Sequence, residues 1–218
     1  MDIILLLAMF KQVKNVAFVM LLCSIYILCS SQNSQDQNTI VGGECEGCEA
    51  IYEYGNAILS AQCKIKSNDD LDEKMIITGT VFKNDGKTPK KNVIIYVYHT
   101  SRLGIYESRG NEKGWAKRHG IYRGWVKTAK DGKYEIHTFR PGAYPNRKIP
   151  EHIHMFIKEP QIKEYYIDDI VFANDPLFTK EALRLKHRGG SGLVNPKRKN
   201  GVLYVKRDII LGLNIPNY

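Results

Sequence analysis

A series of short apolar, β-branched runs, each closed by a cluster of turn residues, constrains the fold of this chain more than any other feature. Residues 75–82 form such a run and end in Lys83-Asn-Asp-Gly-Lys-Thr-Pro89, a dense turn signal. Residues 92–99 alternate Val93, Ile95 and Val97 against Ile94, Tyr96 and Tyr98, the pattern of a well-buried strand. Runs over 121–128 and 133–140 flank Asp131-Gly132, which predicts a hairpin. Further strands are expected over 152–158, 165–172 and 202–211. The one helical pattern covers 179–187, with Thr179 as N-cap, Glu181 in the first turn and Arg184, Lys186 and His187 in the last. Short strands at this spacing predict a mostly β protein, a β-sandwich with a short C-terminal helix and an irregular N-terminal segment.

The chain has 218 residues, 43% hydrophobic and 25% charged, which is room for one domain with a real core. Its formal charge of +9 comes from scattered Lys and Arg with no aromatic-basic module, so nucleic acid is not an expected partner. Lys11 and Lys14 precede an apolar run over 16–28 that turns polar at Ser30, the layout of an export signal. Cys29 closes that run where bacterial lipoproteins carry their lipidated cysteine, although Leu28 replaces the usual small residue. Signal cleavage and lipid anchoring through Cys29 both remain open, so the expected location is exported, either periplasmic or tethered to a membrane. Residues 1–29 are read as the signal, 30–43 as a polar tether and 44–218 as the domain. Residues 47–56 are expected to form a short helical turn packed through Ile51 and Tyr54. Among Cys45, Cys48 and Cys63 a structural disulfide is expected, with the pairing open.

The chemistry concentrates in Pro141-Gly-Ala-Tyr144-Pro145, followed by His152-Ile-His154. On a strand, His152 and His154 project from one face, about 7 Å apart along the chain, as a preformed pair of metal ligands. Ile153, Met155 and Ile157 form the opposite, apolar stripe. Tyr144 follows the preceding strand at the same edge and can turn toward the histidines. Upstream, Gly104-Ile-Tyr106 holds another tyrosine just past a glycine, beyond the strand that ends at His99.

With Gly79-Thr-Val81, Asp85-Gly-Lys-Thr-Pro89, Tyr98-His-Thr100, Arg123-Gly124 and Thr128-Ala-Lys-Asp-Gly-Lys-Tyr134 in this order, these motifs resemble the catalytic domain of intradiol ring-cleavage dioxygenases. The resemblance covers roughly residues 76–172, a little under half of the chain. It implies a transthyretin-like sandwich and a non-haem ferric site, Fe(3+), with ligands Tyr106, Tyr144, His152 and His154. It further implies a small phenolic or catecholic substrate and O2, cleavage between the two hydroxyl-bearing carbons, and displacement of Tyr144 when substrate binds. The donor set suits the ion: ferric iron is hard and highly charged, and phenolate oxygen is a hard anionic donor.

The family carries an arginine three residues before its first histidine ligand, where this chain has Ile149. Arg147, at a second basic position of the family, and Arg123 are the candidates to stabilise charge on the bound ring. The insertion over 107–119 is expected to lie over the site, with Trp115 and Trp125 available to stack on an aromatic substrate. His99 is expected to pack or hydrogen-bond behind the ligands. Two other readings use the same residues: a non-catalytic binding module of the transthyretin or carboxypeptidase-regulatory type, and a zinc or other divalent site for hydrolysis.

Overall fold

The computed structural model describes residues 39–179, 181 and 186–218. The expected signal, Cys29 and most of the expected helix over 179–187 lie outside the described residues. Among the described residues no helix is long and apolar enough to cross a membrane.

Two sheets form the domain. In the first, β1 (Gln62–Lys64), β5 (Lys133–Phe139), β2 (Lys74–Phe82), β10 (Val202–Lys206) and β9 (Lys197–Lys199) lie side by side, and β11 (Ile209–Ile210) also pairs with β2. The second has the order β4 (Arg123–Lys127), β3 (Ile94–Tyr98), β6 (His152–Lys158), β7 (Tyr165–Phe172) and β8 (Leu193–Val194). Apolar alternation explains the pairing of faces. Ile77, Val81 and Ile136 from the first sheet meet Ile95, Val97, Ile153, Met155 and Ile157 from the second in one buried cluster. Each of those side chains, fully buried, contributes about 1.5–3 kcal/mol of transfer free energy. The sandwich and its mostly β content agree with the expectation.

The outer face of the second sheet is apolar too. Tyr96 and Phe156 lie under Cys48, Ala50 and Ile51 of a 3-10 turn at Cys48–Tyr52, with Tyr98, Trp115 and Trp125 packed around them. Residues 47–56 thus supply the expected helical turn, with Ile51 fully buried. A disulfide joins Cys45 to Cys48 and closes the loop that enters this turn. Cys63 is the free thiol among the described cysteines, and burial against the inner core pushes its pKa up to about 12.

Three expectations need correction. The hairpin across Asp131-Gly132 does not form, because β4 and β5 belong to different sheets. A turn does exist there, with Gly132 N–H donating to Ala129 O at 3.0 Å. The segment leading into β1 occupies the edges the two strands would offer each other: Lys127 N–H bonds Ser60 O and Glu135 N–H bonds Ala61 O, both at 2.8 Å. The final strand is split into β10 and β11, both parallel to β2. Between them Arg207 is buried, and its guanidinium donates to the carbonyls of Asp208 at 2.7 Å and Gly190 at 2.9 Å. Finally, the end of the expected tether joins the domain, since Val41 is in the core and Gly42 N–H bonds Pro216 O at 2.7 Å.

His99 leaves β3 into the inner core, where it is 1% exposed. Its Nδ1 donates to Thr100 O and its Nε2 accepts from Thr138 Oγ1, both at 2.7 Å, which defines a neutral tautomer. It packs edge-on to Phe139, and its hydrogen-bond partners are Thr100 and Thr138 rather than any of the four expected ligands. Burial pushes its pKa down to about 4. The unfolded chain therefore binds a proton between about pH 6.5 and 4 that the folded chain refuses, and stability falls as pH drops through that window. The loss attributable to His99 approaches about 3 kcal/mol at the acid end. Urea midpoints measured from pH 7 to pH 4 are expected to decline, and His99→Gln is expected to flatten part of the slope.

Candidate metal centre

The site lies on the outer face of the second sheet, at the start of β6. His152 and His154 project there together, with ring centroids 4.7 Å apart. Ile153 and Met155 point the other way and are fully buried, so core packing holds the histidine strand in register.

Two loops bring the tyrosines. The loop after β3 carries Tyr106 and the loop after β5 carries Tyr144, and their backbones interlock. Gly142 N–H bonds Ser101 O at 2.9 Å, and Thr100 Oγ1 donates to Gly142 O at 2.8 Å. Gly104 has φ +76°, and a Cβ placed there would lie 1.9 Å from Ala143 O. A Cβ on Gly142 would lie 2.2 Å from Arg102 O. Only residues without a side chain permit this approach.

The result is a continuous run of four donor groups. Tyr106 Oη is 2.5 Å from Tyr144 Oη and 2.9 Å from His154 Nε2, and Tyr144 Oη is 3.2 Å from His152 Nε2. Behind the donors, His152 Nδ1 donates to Pro150 O at 2.7 Å, and His154 Nδ1 faces the Asp169 carboxylate, with Oδ2 at 3.1 Å. With Nδ1 donating, His152 turns its Nε2 lone pair toward Tyr144, and a proton on His154 Nδ1 beside the carboxylate leaves that ring's Nε2 to face Tyr106. Tyr98 stacks on His154 at 4.5 Å and, on its own outer side, on His119 at 3.8 Å. That stack restrains rotation of the His154 ring. Burial pushes the Tyr106 and Tyr144 hydroxyls up, the Tyr144 bond adding to the effect at Tyr106. Burial and the neighbouring His154 hold His152 below the usual imidazole range. Two neutral phenols and two imidazole lone pairs, collected from three segments and partly withdrawn from water, fit a hard cation that can take the phenolic protons' place.

The structure thus brings together Tyr106, Tyr144, His152 and His154. Arg147 is nearby and exposed, its guanidinium 5.9 Å from the Tyr144 ring centroid. Arg123 is committed elsewhere: Nη1 bonds Glu53 Oε2 at 2.5 Å, and the guanidinium lies 5.0 Å over Trp125. Both tryptophans are structural as well. Trp125 stacks on Tyr96 at 4.9 Å and donates to Ala50 O, while Trp115 stacks on His119. Ile149 is 38% exposed.

Asp169 is the site residue that sequence reasoning missed. His152, His154 and Asp169 offer ligand atoms within 4.8 Å of one another. Its signal is Ile167-Asp-Asp-Ile170, where two buried isoleucines stand three apart and break the period of two.

A family model described as Dioxygenase matches residues 50–195, a span that contains all four donor residues. The chain belongs to the intradiol ring-cleavage dioxygenase family. The protocatechuate 3,4-dioxygenase beta chain of Burkholderia cepacia is 29% identical over 134 residues, covering 55% of this chain and 57% of that one. Catechol 1,2-dioxygenase 1 of Acinetobacter lwoffii is 30% identical over 133 residues, covering 52% and 41%. The chain therefore spans about half the length of the curated relatives it matches. Among solved structures, the dioxygenase domain of a dioxygenase carbohydrate-binding protein fusion from Streptomyces sp. SirexAA-E aligns over 77% of this chain and 95% of that one, with a TM-score of 0.54 at 19% identity. Catechol 1,2-dioxygenase from Pseudomonas arvilla C-1 aligns over 89% and 67%, with a TM-score of 0.55 at 16% identity. These two likenesses are of fold.

The interlocked loops of this intradiol-family site can be tested through their glycines. Gly104→Ala is expected to cost about 3 kcal/mol or more, from positive φ together with the overlap on Ala143. Gly43→Ala, at φ +75° with nothing within 4 Å, is expected to cost about 1 kcal/mol. Denaturant unfolding of both variants checks the difference.

Proposed function

We propose that this chain is a non-haem ferric dioxygenase that cleaves a catechol-type ring between its two hydroxyl-bearing carbons, consuming O2 and placing both oxygen atoms in a muconate-type diacid. The observation that carries the reading is the convergence of Tyr106 Oη, Tyr144 Oη, His152 Nε2 and His154 Nε2 within hydrogen-bonding distance along one run. Family membership supports the reaction class. When bound, ferric iron would draw electron density from the catecholate and render the ring carbons reactive toward O2.

The chain's own groups have separable tasks. Tyr106, His152 and His154 would hold the ion. Tyr98 and Asp169 restrain His154, which limits reorganisation at the centre. By its motif position Tyr144 is the donor that would leave, and its phenolate, with Arg147 alongside, would accept at Oη a proton from an incoming ring hydroxyl. Arg147, beside Tyr144, supplies positive charge at the rim and would draw in an anionic phenol. The Cys45–Cys48 disulfide supports an exported protein, since such bonds persist in oxidising compartments.

Purified protein is expected to contain equimolar iron and to be red to brown from phenolate-to-ferric charge transfer. Tyr144→Phe is expected to change that colour, and oxygen uptake is expected with at least one of catechol, protocatechuate and hydroxyquinol. A colourless protein that cannot be reconstituted with ferric iron would overturn the proposal.

A further inference from the structure

Strand β7 gains one residue relative to β6 beside the histidines. His152 and Ile153 stand opposite Val171 and Ile170, whereas Met155 stands opposite Ile167, so the single residue His154 faces the pair Asp168-Asp169. This is a β-bulge, a device that re-aims side chains and recurs next to active sites. It keeps Ile167 and Ile170 both in the core, at 1% and 0% exposure. Both aspartates are thereby placed outside the inner core.

The two carboxylates have different partners. Asp168 accepts from His187 Nδ1 at 2.6 Å and from Arg188 N–H at 3.0 Å. Asp169 reaches His154 Nδ1 at 3.1 Å. The bulge is held from behind. A Cβ on Gly192 would lie 1.8 Å from Asp169 O, so that position accepts only glycine at this spacing. Val171 N–H bonds Gly192 O, and Asp168 N–H bonds Arg188 O, both at 3.0 Å. The buried Arg207 guanidinium holds Gly189 O and Gly190 O, and so ties down the chain that buttresses the bulge.

We infer that Asp169 is a positioning residue that makes His154 the stronger of the two imidazole donors, and that the β7 bulge serves to deliver it. The inference rests on the ferric reading above and deepens it. His152 donates from Nδ1 to a neutral carbonyl, that of Pro150, while His154 Nδ1 stands 3.1 Å from a carboxylate oxygen of Asp169. A carboxylate's negative charge beside the ring N–H attracts that proton more strongly than a neutral carbonyl does, and this raises the basicity of the ring's other nitrogen. His154 Nε2 thus presents more electron density to an ion than His152 Nε2 does. Asp169 acts through the ring rather than on the ion: it sits at Nδ1, whereas Tyr106 Oη lies 2.9 Å from Nε2 at the opposite end.

The test compares ferric-loaded wild type with Asp169→Asn, which keeps an acceptor but removes the charge, and Asp169→Glu, which keeps the charge. Three readouts are followed: the visible charge-transfer band, the ferric reduction potential and the rate of iron loss to a chelator. Asp169→Asn is expected to move the band to longer wavelength, raise the potential and speed iron loss by about 10- to 100-fold. Asp169→Glu is expected to stay closer to wild type on all three. Wild-type values in Asp169→Asn, or equal shifts in both variants, would overturn the positioning role while leaving the ferric reading intact. Complete loss of iron from both variants, with Tyr144→Phe retaining it, would mark the carboxylate as a direct ligand and also overturn the role. If wild type itself takes up no iron, the ferric reading fails and this inference fails with it.

Discussion

Strand β6 presents two surfaces with different chemistry, and the alternation of its side chains keeps them apart. Ile153, Met155 and Ile157 are fully buried between the sheets. His152 and His154 take the other face, where two tyrosine loops meet them. A slip of one residue would exchange the two sets, burying imidazoles in the core and exposing isoleucine and methionine. The apolar contacts that stabilise the sandwich therefore also fix the spacing of the histidines, and the site inherits the rigidity of a central strand.

The tyrosines have no strand to position them, and their precision comes from backbone contact. Gly104 and Gly142 let two loops approach more closely than any side chain would allow, which places two phenol oxygens 2.5 Å apart. On the other flank an aromatic stack runs from His154 through Tyr98 to His119 and Trp115, under the cap stapled by Cys45–Cys48. The residues inserted over 107–119 thus support the sheet's outer face from above. Trp115 belongs to that support, and its indole is engaged with protein rings.

Much of this was legible in the sequence because it depends on local periodicity. Val93, Ile95 and Val97 against Tyr96 and Tyr98 identify a well-buried strand, and the structure buries it so. His152-Ile-His154 needs only the strand period to place both rings on one face. Partners at long range are not encoded that way. Asp131-Gly132 makes a turn, yet the strands it joins separate into different sheets because residues from Ser60 to Lys64 fill the gap. Arg207 looks like an interruption of a final strand, and its purpose emerges only when the carbonyls around its guanidinium are seen. Arg123 next to Gly124 fits a motif, but its charge is satisfied by Glu53, far earlier in the chain. Asp169 was hidden by a bulge, which a strict period of two cannot represent.

The ferric reading stands or falls on one geometry: a single ion held by two phenolate oxygens and two imidazole Nε2 atoms at the start of β6. Crystals grown with ferric iron and measured at the iron absorption edge test it directly. A single anomalous peak is expected at about 2 Å from Tyr106 Oη, Tyr144 Oη, His152 Nε2 and His154 Nε2. A peak bound by Asp169 and histidine Nδ1 atoms, or the absence of any peak among the four donors, would contradict it.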